Sequence, residues 1–287
     1  MMVITGANGR LGRSIAAKLA KAGHASSARL ITRSPEKAED LKALGFEVVR
    51  ADFDDRESLT AAFQSANTIL IISATGSAKD RIPLHKNAIA SAIAVNPERI
   101  VYTSRVNPSP DSVYAYSDIH ALSESLIRKS GVPFTIVRNN EYSENLAFSI
   151  KEALQNGSIA LPGSTGKVPY ISQDDIAKII TKLLKESDHF NKTYELNGPE
   201  ALSPAEIAQT LENACGKPIK HLNTSANDYA ALVKSRGRPQ FVVEMIRTLH
   251  NAIDRQEFST VYNDAKLLLG EAPESLSQYF KRVYGTA

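Results

Sequence analysis

The chain opens with Met2-Val3-Ile4-Thr5-Gly6-Ala7-Asn8-Gly9-Arg10-Leu11-Gly12, a short β-branched run followed at once by three glycines spaced three apart. Val, Ile and Thr suit a strand. Leu11 to Ala22 has helical spacing, and Gly23 stands where that helix would stop. Strand, glycine turn and helix together form the first unit of a parallel sheet with crossover helices.

The same rhythm continues along the first half. Strands are expected at Arg29–Thr32, Glu47–Arg50, Thr68–Ser73, Arg99–Thr103 and Phe134–Arg138. Between them helices are expected from a Ser34-Pro35-Glu36 cap to about Leu44, over Asp55–Ala66, over Pro83–Val95 and over Ser117–Ser130. The fourth to sixth strands are apolar almost throughout, as strands covered on both faces are. The expectation is an α/β fold: a Rossmann-type doubly wound parallel sheet of six strands, with a smaller C-terminal α+β substrate lobe. Residues 1–145 would form the sheet domain and 146–287 the smaller lobe, interleaved with the first. In that lobe helices are expected at Asp174–Lys185, Ala205–Cys215 behind a Ser203-Pro204-Ala205-Glu206 cap, Ala226–Ser235 and Phe241–Asn251, with a short strand at Tyr194–Leu196.

Composition excludes several classes of function. In 287 residues, Lys plus Arg total 34 and Asp plus Glu 31, a net charge of +3 that leaves no footprint for nucleic acid. The one cysteine, Cys215, closes no intramolecular disulfide, fits a reducing compartment and reads as structural. Apolar runs fall far short of the roughly 20 residues a spanning helix needs, and the N-terminus shows no signal-peptide pattern. A soluble cytoplasmic protein without a membrane partner is expected, its oligomeric state open.

The glycine turn carries the first chemistry. Gly6 allows the sharp exit from the strand, Gly9 a close approach to a pyrophosphate, and Gly12 close packing of helix on sheet. The free helix-start N–H groups then point at phosphates. Gly6, Asn8, Gly9, Arg10, Leu11 and Gly12 are therefore candidate dinucleotide-binding residues. At the end of the second strand an acid would bind the ribose 2′-OH of NAD, whereas an Arg accommodates a 2′-phosphate. Thr32-Arg33-Ser34 offers the Arg, which favours NADPH while leaving NADH admissible. Asp52 after the third strand suits an adenine amino group, and Asp54 a cap of the next helix.

Ligands in such sheets bind beyond the carboxyl ends of the strands. Ser73 and Ala74, small enough for a nicotinamide to lie close, follow the fourth strand, and Thr103-Ser104 the fifth. Tyr116 and His120, four apart, share a helix face. Short-chain dehydrogenases place Tyr-x-x-x-Lys so, and here His120 takes the Lys position. The polar tract after the sixth strand makes Asn139, Tyr142 and Asn145 candidates for the pocket wall. His24, His85, His189, His221 and His250 are dispersed without metal-ligand spacing, so no metal is expected, and no Gly-x-Ser-x-Gly elbow offers a hydrolytic nucleophile.

Taken with Thr32 to Ala38, Ala51 to Asp55, Val132 to Asn139, Tyr142 to Asn145, Ser172 to Ala177 and Tyr194 to Ser203, the opening motif resembles NmrA-like atypical short-chain dehydrogenases. Within them it is most similar to the type 2 NAD(P)H:quinone oxidoreductase and triphenylmethane reductase branch. The resemblance implies NADPH held by the glycine turn and Arg33, and a small quinone-like or dye-like acceptor between the lobes. Phe148 and Pro162 to Tyr170 would line the acceptor side. Hydride would pass directly from the nicotinamide, with His120 or Tyr142 as donor to the developing oxyanion. A second reading is an NmrA-like redox sensor that binds NADP(H) without turnover and acts through a protein partner. A nucleotide-sugar epimerase would need Tyr and Lys together, and His120 argues against it.

Overall fold

The computed structural model describes residues Met1 to Gly285. Its strands are β1 (Met2–Ile4), β2 (Ala28–Thr32), β3 (Glu47–Arg50), β4 (Thr68–Ile71), β5 (Arg99–Arg105), β6 (Phe134–Asn139), β7 (Ser158–Pro162), β8 (Lys192–Leu196) and β9 (Lys220–Thr224). Helices α1 to α5 are Arg10–Lys21, Glu39–Ala43, Arg56–Phe63, Ala78–Ala94 and Ser117–Lys129. Next come α6 (Ala147–Asn156), α7 (Gln173–Lys185), α8 (Pro204–Cys215) and α9 (Ala226–Ser235). The last three are α10 (Gln240–Asp254), α11 (Asp264–Leu269) and α12 (Leu276–Tyr284).

The main sheet runs β3-β2-β1-β4-β5-β6-β8. Pairing is parallel between β1 and β2, β1 and β4, β2 and β3, and β4 and β5. The chain thus leaves the centre at β1, moves to one edge through β2 and β3, then returns past β1 at β4, which makes the doubly wound topology. All residues of β4 and β5 are buried. Val3, Ile31, Ile69, Ile71, Ile100 and Tyr102 form one core with Leu59 and Phe63 of α3 and Ile89 of α4. Each such aliphatic side chain contributes about 1.5–3 kcal/mol by leaving water.

The chain divides into two compact units. One comprises residues 1–105, 119–138 and 176–194, and the other 106–118, 139–175 and 195–287. In the first, the Arg99 guanidinium donates to the carbonyls of Leu183 and Glu186, tying the start of β5 to the end of α7. In the second, β7 and β9 pair in parallel, α6 packs on β7, and α12 lies against α8. The capping box on α8 forms as its sequence suggests, Ser203 and Glu206 each taking the other's backbone N–H. Cys215 is buried in the last turn of α8, ahead of Gly216 at φ +67°.

The structure departs from the sequence expectations at several points. The main sheet has seven strands, because the Tyr194–Leu196 segment joins it as β8 beside β6. The helix expected from Ser34 to Leu44 breaks into a 3₁₀ turn at Pro35–Lys37 and the short α2. Ser34 makes no side-chain cap; its carbonyl accepts from Asn8 and from Lys37 N–H, its N–H donates to Thr32, and the Lys37 carbonyl is taken by Arg13. Asp55, not Asp54, caps α3 by accepting from Ser58 N–H. Pro83 lies inside α4 rather than at its start, since Ser77 caps the helix a turn and a half earlier. Helices α6, α11 and α12 and strands β7 and β9 have no counterpart in the expectations.

Candidate active site

At the exit of β1, Gly6 adopts φ +69° and Gly9 N–H closes the turn on the Gly6 carbonyl at 2.9 Å. A Cβ at Gly12 would run into that same carbonyl, so α1 packs as close to the turn as glycine permits. No side chain caps α1, and no acid occupies its first turn. Its first N–H groups, which have no carbonyl one turn back, keep their partial positive charge for an anion. Asn8 spans from this turn to the end of β2, donating to Thr32 Oγ1 at 2.6 Å and to the Ser34 carbonyl at 2.9 Å. Asn8 thus ties the glycine turn to the Arg33 turn.

A cavity of about 380 Å³ opens over the carboxyl ends of four neighbouring strands. Gly6, Asn8 and Gly9 contribute from β1, Thr32 and Arg33 from β2, Asp52 and Phe53 from β3, and Ser73, Ala74 and Thr75 from β4. Arg33 is exposed on this wall, and no ion pair or side-chain hydrogen bond engages it among the described residues. Asp52 is half-buried and accepts from Asp54 N–H through Oδ1. A glycine cradle that a Cβ would fill, uncapped helix N–H groups and an unengaged cation at the end of β2 make a donor set that fits a dinucleotide carrying a 2′-phosphate.

The remaining sequence candidates take other positions. Arg10, Leu11 and Gly12 form the first turn of α1, with Arg10 exposed and Leu11 buried. Thr103 stands behind the cavity wall, its Oγ1 accepting from Ser73 N–H at 2.9 Å. The Ser104 hydroxyl is committed to Glu124, a buried carboxylate that also takes the Arg138 guanidinium at 2.8 and 2.7 Å. In the second unit Asn139 donates to the Tyr142 hydroxyl at 3.2 Å, and Asn145, exposed, donates to Glu141. Tyr116 is buried and donates its hydroxyl to the Phe241 carbonyl. The Phe148 ring lies under the guanidinium groups of Arg236 and Arg238.

His120 is buried on α5, with Nδ1 2.9 Å from the Tyr102 hydroxyl. That hydroxyl also lies 3.2 Å from Nδ1 of His85, whose Nε2 accepts from Ala74 N–H at 3.1 Å. Burial holds His85 down at about 3 and His120 well below the ordinary histidine value, with Arg81 adding repulsion to both. Both imidazoles are therefore neutral. His85, one of five histidines dispersed in the sequence, thus bonds to the cavity-lining residue Ala74, and neither it nor Tyr102 has a motif to announce it. The legible signal was a stripe on α5 where His120, Ser123 and Glu124 share the buried face with Ile119 and Ile127. His189, dispersed likewise, meets Glu186 and Asp188 with their ligand atoms within 4.8 Å of one another. Its two ring nitrogens already face the Tyr194 hydroxyl at 2.7 Å and Glu186 at 2.9 Å.

With this geometry stands the relationship to known proteins: residues 1–279 match the NmrA-like family. The chain belongs to that family. Among curated relatives, quinone oxidoreductase 2 of Escherichia coli (strain K12) is 35% identical over 246 residues, 86% of this chain and 85% of that protein. The crystal structure of an NADPH-dependent quinone oxidoreductase from Escherichia coli in complex with NADPH superposes with a TM-score of 0.93 at 31% identity. It covers 99% of this NmrA-like chain and is itself covered completely, at 100%. The Citrobacter triphenylmethane reductase complexed with NADP(H) gives a TM-score of 0.90 at 28% identity, covering 98% and 99% of the two chains. Among the described residues, no helix of this NmrA-like protein is long and apolar enough to cross a membrane.

Proposed function

We propose that this NmrA-like protein is an NADPH-dependent reductase that passes hydride to a quinone or a similarly conjugated, flat small-molecule acceptor. The observation that carries the cofactor half is the cavity over β1 to β4, with the glycine cradle on one side and unengaged Arg33 on the other. The acceptor class rests on the relatives, which are named for quinones and triphenylmethane dyes. When bound, reduced nicotinamide supplies the hydride. The α1 start would hold the pyrophosphate, Arg33 the 2′-phosphate, and Asp52 the adenine edge. Ser73 and Ala74 keep the end of β4 low enough for a ring to lie flat against it. The acceptor oxygen gains negative charge as it is reduced and needs a donor aimed at it. His120 is the first candidate for that donor, and Tyr142, whose hydroxyl accepts from Asn139, the second.

The test is NADPH oxidation by purified protein with a benzoquinone, a naphthoquinone and a triphenylmethane dye. Saturable turnover, lowered by His120→Ala more than by Tyr142→Phe, is the expected result. Tight NADPH binding with no turnover of any acceptor would overturn the reductase reading.

A further inference from the structure

The hydrogen bonds around His120 fix where its proton sits. A backbone N–H can only donate, so Ala74 N–H makes Nε2 of His85 a bare acceptor. Neutral His85 therefore carries its proton on Nδ1, which faces Ser123 Oγ at 3.0 Å and the Tyr102 hydroxyl at 3.2 Å. Ser123 gives its own proton to the Ile119 carbonyl at 2.7 Å and so accepts from His85. Ser123 also lies beside the Tyr102 hydroxyl, but its oxygen is engaged with His85, and the shortest contact of the Tyr102 hydroxyl is His120 Nδ1, at 2.9 Å, which takes its proton. This assignment leaves that nitrogen bare. Nε2 of His120 carries the ring proton, and no hydrogen bond within the protein engages it among the described residues.

We propose that the chain Ala74–His85–Tyr102–His120 is a tautomer relay that presents His120 to the acceptor as an uncharged Nε2–H hydrogen-bond donor. This rests on the reductase reading, and it makes His85 and Tyr102 positioning residues. His120 forms and breaks no covalent bond. With cofactor bound, the nicotinamide would supply one hydride, carrying both electrons, and the acceptor oxygen that becomes negative would take one proton from solvent. The first link, Ala74, is itself part of the cofactor cavity wall, so the relay ties that wall to the donor.

The surroundings suit a neutral ring. The charged groups that act on the relay are Arg81 from α4, Arg105 at the end of β5 and Glu124 from α5, and both arginines oppose a proton on His120. Tyr102 lies wholly within the apolar core between sheet and helices, where its hydroxyl would be costly without these two partners.

The test reads the tautomer directly, on protein without cofactor or acceptor. Protein with nitrogen-15 in its histidine rings is examined by long-range proton–nitrogen correlation, and His120→Gln identifies the His120 signals by their loss. The expected pattern is a bare Nδ1 and a protonated Nε2 on His120, the reverse on His85, and no titration of either ring between about pH 5 and 8. His120 protonated at Nδ1, or titrating near the ordinary histidine value, overturns the relay. In Tyr102→Phe the His120 ring should lose its single tautomer, and an unchanged pattern there would overturn it equally. With an acceptor that is turned over, Tyr102→Phe should lower kcat about tenfold, the worth of one well-aimed hydrogen bond, and leave the Kd for NADPH unchanged. Absent turnover in the wild type strikes the reductase reading alone, because the spectra need no substrate.

Discussion

Replacing Arg33 by Ala should separate NADPH from NADH. Arg33 stands exposed on the cavity wall beside Thr32 and holds no internal partner among the described residues. A 2′-phosphate would engage it without breaking any contact. A charge-assisted hydrogen bond is worth about 1.5–3 kcal/mol, and solvent screening at an exposed site holds Arg33 to the lower figure. About 1.5 kcal/mol corresponds to a Kd for NADPH weakened roughly tenfold. NADH carries no phosphate there and should shift less than about twofold. Arg33→Glu adds repulsion of about 1 kcal/mol for charges about 4 Å apart in water, and its carboxylate can accept from a ribose 2′-OH, so preference should pass to NADH. Fluorescence titration with each cofactor, supported by kcat/KM for each, reads these ratios. The melting temperature should stay put, because a surface side chain without contacts contributes within about 0.5 kcal/mol. Equal weakening of NADPH and NADH would refute the reasoning, since it would mean that Arg33 shapes the turn and does not read the phosphate.

Gly12→Ala forces a Cβ into the Gly6 carbonyl; calorimetry should show about 1–3 kcal/mol of lost stability, and titration a loss of both cofactors alike. Glu124→Ala strips the buried carboxylate from Arg138 and Ser104; the cost should be about 3–5 kcal/mol, seen as a Tm lower by roughly 10 °C. Acid should destabilise the protein well above the range of its carboxylates. Burial lowers His85 to about 3, His250 to about 4, and His120 likewise well below its ordinary value. The unfolded chain, protonating near 6.5, then binds more protons than the native state, so this stability is complete above about pH 6.5 and drains away as pH falls. Urea unfolding at pH 7 and 5.5 should differ by about 1 kcal/mol for each of the three, and a flat profile across that interval would contradict the neutral state assigned to them.

The local rules were legible residue by residue. Val3 and Ile4 before Gly6, Gly9 and Gly12 could be read as strand, turn and helix because these depend on backbone freedom and on side-chain period alone. The Ser203 capping box and the exposed cation at Arg33 likewise depend on neighbours in the chain, and the structure has them in place. Where several good local signals competed, the surroundings chose. Ser34 and Pro35 spelled a helix start, but Asn8 and Arg13 had already claimed the backbone groups around them. Pro83 looked like a first-turn proline, and the stronger Ser77 cap moved the start upstream of it. β8 looked like a stray strand because its last three residues, Tyr194 to Leu196, say nothing about which edge they will extend.

The amino-acid sequence by itself determined the doubly wound class, the cradle at Gly6 to Gly12 and the cation at Arg33, since each follows from backbone conformation or charge at one place in the chain. Only the tertiary structure decided that Ala74, His85, Tyr102 and His120 meet. They come from a loop, a helix, a strand and a second helix, separated by up to 46 positions, and no periodicity links them. Their protonation follows from burial and from the one-way nature of a backbone N–H, properties that exist only once the sheet and its helices have closed over them.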